Sequence, residues 1–399
     1  MANRLPKAAA IIAAVIAVPL GAGAATAAPA ARPAPQTVES VAHAKALAKR
    51  AHERVRPGAT AQLKATATKQ TLAQAAAAGQ AAAAATTGRL AGAHRYDTAV
   101  AVSKATYRDA GRLAGGTLFV ASGTEYPDAL AGGPAAAGIG GPLLLVPPTG
   151  TIPASVIAEI KRLGVEDVYI MGGEGAVDAG VQKQLEGVVG FVDRVYGDDR
   201  YETAAYASFF TWQFDEADPD ADPTPSPVVY LSSGATFADA LAGGAAAAIA
   251  GAPLLLTSPS TLPDVTSFVL EDTQPTEVRI LGGTGAVSGL VATQVRKVLP
   301  NATITRFAGA DRYATAAMTV QNLGLPTGGA VMLANGSTFP DALSASTSSA
   351  VIGAPVLLVQ QSCSPAATTA QVNRLAPTLV RAVGGKAVVS DAALARKAC

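Results

Sequence analysis

The stretch SGTEYPDALAGGPAAAGIGGPLLLV occupies residues 122–146, and closely similar stretches occupy residues 233–257 and 336–359. Each contains an Asp-Ala-Leu tripeptide, and a proline that opens an apolar run stands 14 residues after the aspartate in all three. The recurring motifs are the pairs Arg95-Tyr96, Arg200-Tyr201 and Arg312-Tyr313, the aspartates Asp128, Asp239 and Asp341, the apolar runs 142–146, 253–256 and 355–359, and the Gly-Gly pairs 172–173, 282–283 and 384–385. The chain therefore repeats one structural unit three times.

The spacing of the motifs separates a rigid part of the unit from a tolerant one. The interval from aspartate to proline is constant, whereas the interval from arginine to aspartate is 33, 39 and 29 residues.

A chain of 399 residues is too long for one ordinary core, and three units are near the commonest domain size. Hydrophobic residues make up 49% and aromatic residues 5%, which predicts a core of Ala, Val, Leu and Ile. The net charge of +1 gives no sign of a nucleic-acid partner.

Each copy alternates short strands with helices. In the second copy we predict strands at 192–196, 228–231, 254–257 and 278–281, and helices at 201–214, 237–249, 264–270 and 287–299, grouped as four strand-helix units of one module. Strands that are apolar throughout indicate burial on both faces, and alternation with helices indicates a parallel sheet. The predicted fold is three tandem α/β modules, each with a small doubly wound parallel sheet. The third copy ends after its last helix, so no further strand follows it.

The N-terminal segment predicts export. Arg4 and Lys7 precede the apolar stretch 8–20, and small residues follow it, which is the order of a secretory signal peptide. We assign 1–28 to a signal peptide, 29–88 to a Pro/Ala linker with an Ala-rich helical spacer, and 89–190, 191–302 and 303–399 to the three repeats. Residues 37–56 are predicted to form a basic helix, and we favour a solvated spacer over electrostatic attachment to an anionic wall.

Two cysteines occur, Cys363 and Cys399, and both lie in the third copy. In an oxidising compartment they would form one disulfide that ties the C-terminus to the end of the apolar run at 355–359. Closing a loop of that length contributes roughly 3 to 4 kcal/mol in the chain-entropy model. Two unpaired thiols are the alternative.

The three quoted stretches, with GDDRYETA at 197–204 and GADRYATA at 309–316, resemble the cell-wall-binding repeat family of type 2, found in exported proteins of Gram-positive bacteria. The resemblance covers about residues 89–399. It implies three Rossmann-like modules around a pseudo-threefold axis, which attach the protein to an anionic cell-wall polymer or a peptidoglycan-linked glycan. It also implies a secreted protein at the cell wall or cell surface, with membrane contact only transiently through the signal peptide.

The Arg-Tyr pairs are candidate polymer-binding residues, namely Arg95, Tyr96, Arg200, Tyr201, Arg312 and Tyr313. An arginine at the start of a helix donates a fork of hydrogen bonds to phosphate or carboxylate, while the adjacent ring stacks on a sugar face. The structural alternative, which we favour, pairs Arg200 with Asp198 or Asp199 and Arg312 with Asp311. In that alternative the tyrosines pack onto the sheet.

Asp128, Asp239 and Asp341 are the remaining polymer-binding candidates. Each stands where a loop after a strand becomes a helix, so capping of backbone N–H groups is the favoured role. In the alternative, the three carboxylates converge on the axis and bind a cation or ligand hydroxyls. The copies depart from one pattern at His94, Ala238 and Lys386, which predicts unequal sites.

The Gly-Gly pairs are predicted to form tight turns. The sequence Gly172-Gly173-Glu174-Gly175 lacks the glycine spacing of a dinucleotide-binding turn, so no nucleotide cofactor is expected. Free N–H groups in such a turn are nevertheless suited to hold an anion.

No catalytic residue, metal site or cofactor is predicted. The histidines and cysteines do not assemble into a repeated Ser-His-Asp set or a metal-ligand cluster. The favoured function is non-enzymatic, non-covalent attachment to the wall through three weak tandem sites. One alternative is a wall hydrolase of amidase or glycosidase type that uses carboxylates such as Glu125 and Asp128 in a groove between modules. The other is an architectural surface protein that binds no glycan.

Overall fold

The computed structural model describes residues 35–54, 85–108, 113, 116–212 and 223–399. The predicted signal peptide and most of the predicted spacer lie outside these residues. The strands are β1 (Thr86–Leu90), β2 (Thr117–Ser122), β3 (Leu143–Val146), β4 (Asp167–Met171), β5 (Phe191–Val195), β6 (Val228–Ser233), β7 (Leu254–Thr257), β8 (Glu277–Leu281), β9 (Thr303–Phe307), β10 (Ala330–Asn335), β11 (Val356–Val359) and β12 (Leu379–Val383). The helices are α1 (Pro35–Arg54), α2 (Arg95–Thr106), α3 (Gly132–Gly138), α4 (Ala154–Leu163), α5 (Ala179–Glu186), α6 (Arg200–Ser208), α7 (Ala238–Ala250), α8 (Asp264–Thr273), α9 (Gly289–Val298), α10 (Arg312–Gln321), α11 (Pro340–Ile352), α12 (Ala366–Leu375) and α13 (Asp391–Leu394).

The strands form three parallel sheets of four strands each, which confirms the predicted fold class. The strand orders are β3-β2-β4-β5, β7-β6-β8-β9 and β11-β10-β12-β1. The apolar runs that follow the prolines 14 residues after each repeated aspartate form β3, β7 and β11. Every residue in these strands is buried. Burial on both faces is the reason these runs contain no polar alternation.

The first strand of each copy completes the sheet of the preceding copy. β5 pairs with β4 and β9 pairs with β8, so both lie in the sheet of the copy before their own. The helix that follows each strand packs elsewhere: α6 lies against β7, and α2 lies against β3. The predicted grouping of strand and helix in one module is therefore wrong, because the chain crosses between modules at the turn before each Arg-Tyr pair.

The same exchange closes the three modules into a ring. The third sheet takes its fourth strand from the N-terminal side of the first copy, where β1 pairs with β12 in parallel from Thr86↔Leu379 to Leu90↔Val383. This strand occupies the position in the third sheet that β5 and β9 occupy in the other two. The first copy and the third copy are thereby joined by backbone hydrogen bonds.

Three helices and three aromatic rings mark the pseudo-threefold axis. α3, α7 and α11 each contact the other two. The rings of Tyr126, Phe237 and Phe339 occupy equivalent positions two residues before the aspartates, and their centroids are 5.3, 5.6 and 6.0 Å apart. Such distances are typical of tilted and edge-to-face aromatic contacts. The implied axial arrangement is confirmed.

Close approach at the axis explains the small residues of these helices. Gly133 of α3 and Ser346 of α11 hold equivalent positions, and a Cβ added at Gly133 would lie 2.7 Å from the Cβ of Ser346. A Gly133→Val substitution is therefore expected to lower the free energy of unfolding by about 1 to 3 kcal/mol, as overpacking of a tight core does. Chemical denaturation measures the change. Gly175→Val is the matched control, because no atom lies within 4 Å of a Cβ at Gly175; equal losses in both variants would contradict close packing at the axis.

Helix α1 packs on the modules, so the prediction of a solvated spacer is wrong for the residues described. Val41, Ala44, Leu47, Ala48 and Ala51 are buried. The Tyr169 hydroxyl of β4 donates to the Leu47 carbonyl at 3.3 Å.

Two basic residues of α1, Lys45 and Arg50, contact specific partners, whereas Lys49 is exposed. Lys45 Nζ lies 2.7 Å from Asp272 Oδ2 and about 5 Å from the ring centroids of Phe209 and Trp212. The Arg50 guanidinium carbon lies 3.9 Å from the Phe191 ring centroid. Lys45 thereby connects α1 to α8 and to the residues that follow α6, and cation–π contacts add to the apolar burial.

The predicted disulfide forms between Cys363 and Cys399, whose Cα atoms are 5.0 Å apart. Ser364 N–H donates to the Lys397 carbonyl at 2.7 Å, so the two ends of the loop also pair through the backbone. The C-terminus is thus held beside the end of β11. Among the described residues, no helix is both long enough and apolar enough to cross a bilayer.

Candidate functional site: three clefts between copies

Each sheet has a point where the strand order reverses, and repeated residues lie there. The chain runs from β2 outward to β3 and then returns to β4 on the other side of β2. Asp128 follows the carboxyl end of β2, and Gly172-Gly173 follows the carboxyl end of β4. The other two sheets place Asp239 with Gly282-Gly283 and Asp341 with Gly384-Gly385 in the same way. In open α/β sheets, ligands bind in the crevice at this switch point.

The aspartate and the Gly-Gly turn are in direct contact. A Cβ added at Gly172 would meet Asp128 Oδ2 at 2.5 Å, and the equivalent glycines face Asp239 and Asp341. The backbone φ angles of Gly172, Gly282 and Gly384 are 95°, 94° and 107°. Both the close carboxylate and the left-handed backbone exclude a side chain at this position.

The far wall of each cleft comes from the following copy. Arg200 and Thr203 lie beside Asp128, and their charge and hydrogen bond stabilise its charged form. Arg312 and Thr315 do the same for Asp239. Asp341 faces Arg95, so the third copy meets the first across the closed ring. We call these the first cleft (Asp128, Gly172-Gly173, Arg200), the second cleft (Asp239, Gly282-Gly283, Arg312) and the third cleft (Asp341, Gly384-Gly385, Arg95).

Burial destabilises the charged form of all three carboxylates. It raises the pKa of Asp128 and of Asp239, while hydrogen bonds from Thr203 and Thr315 and the neighbouring arginines oppose the rise. For Asp341, burial raises the pKa to about 6 against the opposing charge of Arg95. Carboxylates kept in such a cleft at a cost in stability are typical of functional sites.

The Arg-Tyr pairs make structural contacts with the glycine that follows the second strand of each copy. Arg200 Nη1 donates to the Gly234 carbonyl and Arg312 Nη1 to the Gly336 carbonyl, both at 2.7 Å, and Arg95 Nη1 donates to the Gly123 carbonyl. The tyrosine ring packs on the same glycine: a Cβ at Gly123 would lie 2.5 Å from Tyr96 Cε1, and Tyr201 and Tyr313 lie against Gly234 and Gly336 in the same way. The favoured structural role is correct in kind, but its partner is wrong, since the arginines bind carbonyls after β2, β6 and β10 instead of local aspartates.

The rest of each guanidinium stays available. Among the described residues, the Nε and Nη2 groups of Arg95, Arg200 and Arg312 have no hydrogen-bond acceptor. Each guanidinium therefore retains donors beside the cleft carboxylate. Guanidinium groups with free donors bind phosphate and carboxylate strongly.

The predicted capping role of the three cleft aspartates is wrong. The N-cap residues of α7 and α11 are Phe237 and Phe339, and neither cap involves a side-chain hydrogen bond. α3 begins only at Gly132, four residues after Asp128. The aspartates turn toward the Gly-Gly turn and the next copy because those groups, and not the helix amides, lie at the switch point.

Other residues cap the Arg-Tyr helices. Asp199 accepts from the N–H groups of Tyr201 and Glu202, and Asp311 accepts from Ala314 N–H. The first copy has His94 at this position, and Asp97 accepts from its backbone N–H instead. The hydrogen bond from Ser155 and then that from His94 lower the pKa of Asp97.

The aspartates do not meet on the axis. The axial position belongs to Tyr126, Phe237 and Phe339, and each aspartate faces an arginine of the next copy. Within the described ranges, no group of three or more His, Cys, Asp or Glu side chains is placed to hold a metal ion.

Three further arginines support the clefts, and the sequence interpretation missed them. Arg89, Arg194 and Arg306 each stand six residues before the arginine of an Arg-Tyr pair. Their Nη1 groups donate to the carbonyls of Gly384, Gly172 and Gly282 at 2.8, 3.2 and 2.7 Å. The repeat alignment contained this signal, because the arginine recurs at a constant distance in all three copies.

The Gly-Gly turns expose unpaired amides beside the aspartates. In the described part of the chain, the N–H groups of residues 173–175, 283–285 and 385–387 have no hydrogen-bond acceptor. Successive free N–H groups in a turn form a concave surface that attracts anions. Each cleft therefore offers backbone donors and guanidinium donors around one carboxylate, which is half-buried in the first two clefts and buried in the third.

The family description cell wall binding domain 2 (CWB2) matches this chain at residues 89–182, 194–292 and 306–394. The chain belongs to the cell wall binding domain 2 family. The three matches cover the three copies identified from the repeated motifs, which confirms the resemblance. Cell wall binding domain 2 repeats place the protein at the cell wall or cell surface.

Curated relatives and solved structures agree with this assignment. The N-acetylmuramoyl-L-alanine amidase LytC of Bacillus subtilis is 31% identical over 259 residues, covering 65% of this chain and 47% of the relative. The amidase enhancer of the same organism is 28% identical over 283 residues, covering 71% of this chain and 36% of the relative. The chain thus spans half or less of the length of these relatives, and the similarity to LytC falls in the cell wall binding domain 2 repeats.

The fold itself is shared with two proteins of Clostridium difficile. Cwp6 superposes with a TM-score of 0.69 at 26% identity, covering 78% of this chain and 47% of that chain. Cwp8 superposes with a TM-score of 0.66 at 25% identity, covering 77% and 50%. The cell wall binding domain 2 repeats of this chain therefore form the same three-module arrangement.

Proposed function

We propose that this chain is an exported, non-enzymatic protein that attaches non-covalently to the cell wall by binding an anionic secondary polymer through its three tandem modules. The observation that carries the proposal is the cleft itself: unpaired backbone N–H groups and free guanidinium donors surround a partly or fully buried carboxylate at a switch point. The family and the relatives support a wall-binding role. Export rests on the signal peptide predicted at 1–28.

Two kinds of contact are available to a charged sugar polymer in a cleft. Phosphate or carboxylate groups accept from the turn amides and from Arg95, Arg200 or Arg312. Sugar hydroxyls donate to Asp128, Asp239 or Asp341, which explains why a carboxylate is kept in an otherwise anion-binding cleft. Because the clefts lie on one ring, binding in one cleft raises the effective concentration of polymer at another, so weak individual sites suffice.

The protein is expected to be retained on purified Gram-positive wall sacculi that carry their anionic polymers and to be released as salt rises, because exposed charge pairing is screened. Sacculi stripped of these polymers should retain much less. Sedimentation of the bound fraction measures both effects. Equal retention on intact and stripped sacculi would contradict the proposal.

The hydrolase alternative is tested in the same material. The parent protein would have to release peptidoglycan fragments, and an Asp128→Asn, Asp239→Asn double variant with its fold intact by circular dichroism would have to release none. That result would favour the hydrolase function over attachment. Large self-assemblies in sedimentation without polymer affinity would favour an architectural role.

A further inference from the structure

The three clefts share one backbone geometry but differ strongly in charge. Nine positions at the first cleft carry charged residues: Glu125, Asp128, Glu174, Asp178, Asp198, Asp199 and Glu202, with Arg194 and Arg200. Seven acidic and two basic residues give a formal charge of −5. The equivalent nine positions hold two acidic and two basic residues at the second cleft, and two acidic and three basic residues at the third, for formal charges of 0 and +1.

The acidic residues of the first cleft act on its central groups. The charges of Asp199 and Glu125 raise the pKa of Asp128, in addition to the dominant effect of burial. Glu174 and Asp178 interact with the Arg194 guanidinium behind the turn. The excess acid therefore surrounds the donors that an anion would need.

The other two clefts lack this excess. Thr284 and Lys386 stand where the first cleft has Glu174, and both are exposed at the tip of the turn. Lys386 Nζ lies 2.6 Å from Asp391 Oδ2, and Arg89 Nη2 lies 3.1 Å from Asp391 Oδ1, so Asp391 brings the third cleft close to neutral. Neither cleft presents net negative charge to a polyanion.

We infer that the charged groups of the wall polymer are held in the second and third clefts, and that the acidic residues of the first cleft keep them out of it. The inference rests on the proposed function. Like charges at contact distance cost binding energy and exclude a ligand even where the backbone donors are in place. One fold with three copies thus carries two anion-binding clefts and one that repels anions.

Charge changes at equivalent positions of the clefts test the inference on intact sacculi. Thr284→Glu and Lys386→Glu give the second and third clefts the residue of the first, and each is expected to weaken retention about twofold to fivefold, the range for exposed charge interactions. The triple variant Glu125→Thr, Glu174→Thr, Glu202→Ala gives the first cleft the residues of the second cleft, which are Thr236, Thr284 and Ala314, and it is expected to tighten retention by a similar factor. All of the substituted residues except Glu202 are exposed, and Glu202 is half-buried.

Lys161→Glu is the matched control, since Lys161 is exposed on α4 outside the clefts and undergoes the same charge reversal as Lys386. It should leave retention unchanged. The inference is overturned if the triple variant binds no more tightly, or if the two glutamate variants bind as well as the parent protein. Retention of the parent protein on intact but not stripped sacculi, measured alongside, shows whether the proposed function itself holds.

Discussion

Replacing Gly88 by proline is expected to lower the free energy of unfolding by about 1 to 3 kcal/mol, because it removes a ladder donor from the strand that closes the ring and leaves the acceptor on β12 without its hydrogen bond. Thr86 N–H donates to the Thr378 carbonyl, and Gly384 N–H donates to the Leu90 carbonyl. Since alternate residues of a strand face the same neighbour, the N–H of Gly88 also faces β12. Urea denaturation of the purified protein measures the loss.

Thr87→Pro is the matched control for Gly88→Pro. Thr87 lies on the same edge strand, but its N–H points away from β12, where proline is tolerated. We expect a loss below about 1 kcal/mol for this variant. Similar losses at the two positions would show that β1 contributes little through its pairing, and that the ring is held by side-chain packing alone.

Asp341→Asn is expected to stabilise the protein at pH 8 by up to about 3 kcal/mol, since the pKa of Asp341 lies about two units above its ordinary value. A carboxyl whose pKa is raised on folding binds protons more tightly in the folded state. Its favourable contribution is present below pH 4 and is lost as the pH rises through about 6. The difference between variant and parent should therefore vanish toward pH 4, grow between about pH 4 and pH 6, and stay constant at higher pH.

Thermal or urea unfolding at several pH values measures this difference. Asp391→Asn is the control, because Lys386 and Arg89 lower the pKa of exposed Asp391, which gives the opposite sign. The Asp341→Asn variant is also expected to bind intact sacculi more weakly, as the carboxylate acceptor is lost from the third cleft. Destabilisation by Asp341→Asn at pH 8 would mean that the ionised carboxylate is well compensated in the fold.

Local patterns were sufficient for the secondary structure and for the disulfide. The apolar runs at 143–146 and 254–257 form β3 and β7 with these bounds, because a fully buried strand needs no information beyond its own composition and its flanking turns. Cys363 and Cys399 are the two cysteines of the chain, and the predicted export favours their pairing. The helix at α1 was predicted, but its packing on the modules was not, because the buried side chains of Ala44, Ala48 and Ala51 are too small to indicate a packed face.

The candidate site was predicted in its residues but not in its arrangement. Asp128 and Arg200 were both singled out, yet nothing in their spacing showed that they share a cleft, since they belong to different copies. The aspartates were assigned to helix caps because residues at loop-helix junctions usually cap. Their true contact with Gly172, Gly282 and Gly384 depends on the return of the chain to the central strands, which is a property of sheet topology.

The sequence by itself determined the repeated unit, its strands and helices, its small-residue helices and the family to which it belongs, because all of these depend on composition and on neighbours along the chain. Tertiary structure alone decided which copy each first strand joins. β1, β5 and β9 are equivalent in sequence, and each sheet offers an equivalent open edge, so local propensity does not distinguish the pairings. The packing of three modules around the axis selects the pairing with the preceding copy, and for β1 that copy is the third. The same packing places Arg95 beside Asp341, so that each of the three repeats contributes to a cleft with its neighbour.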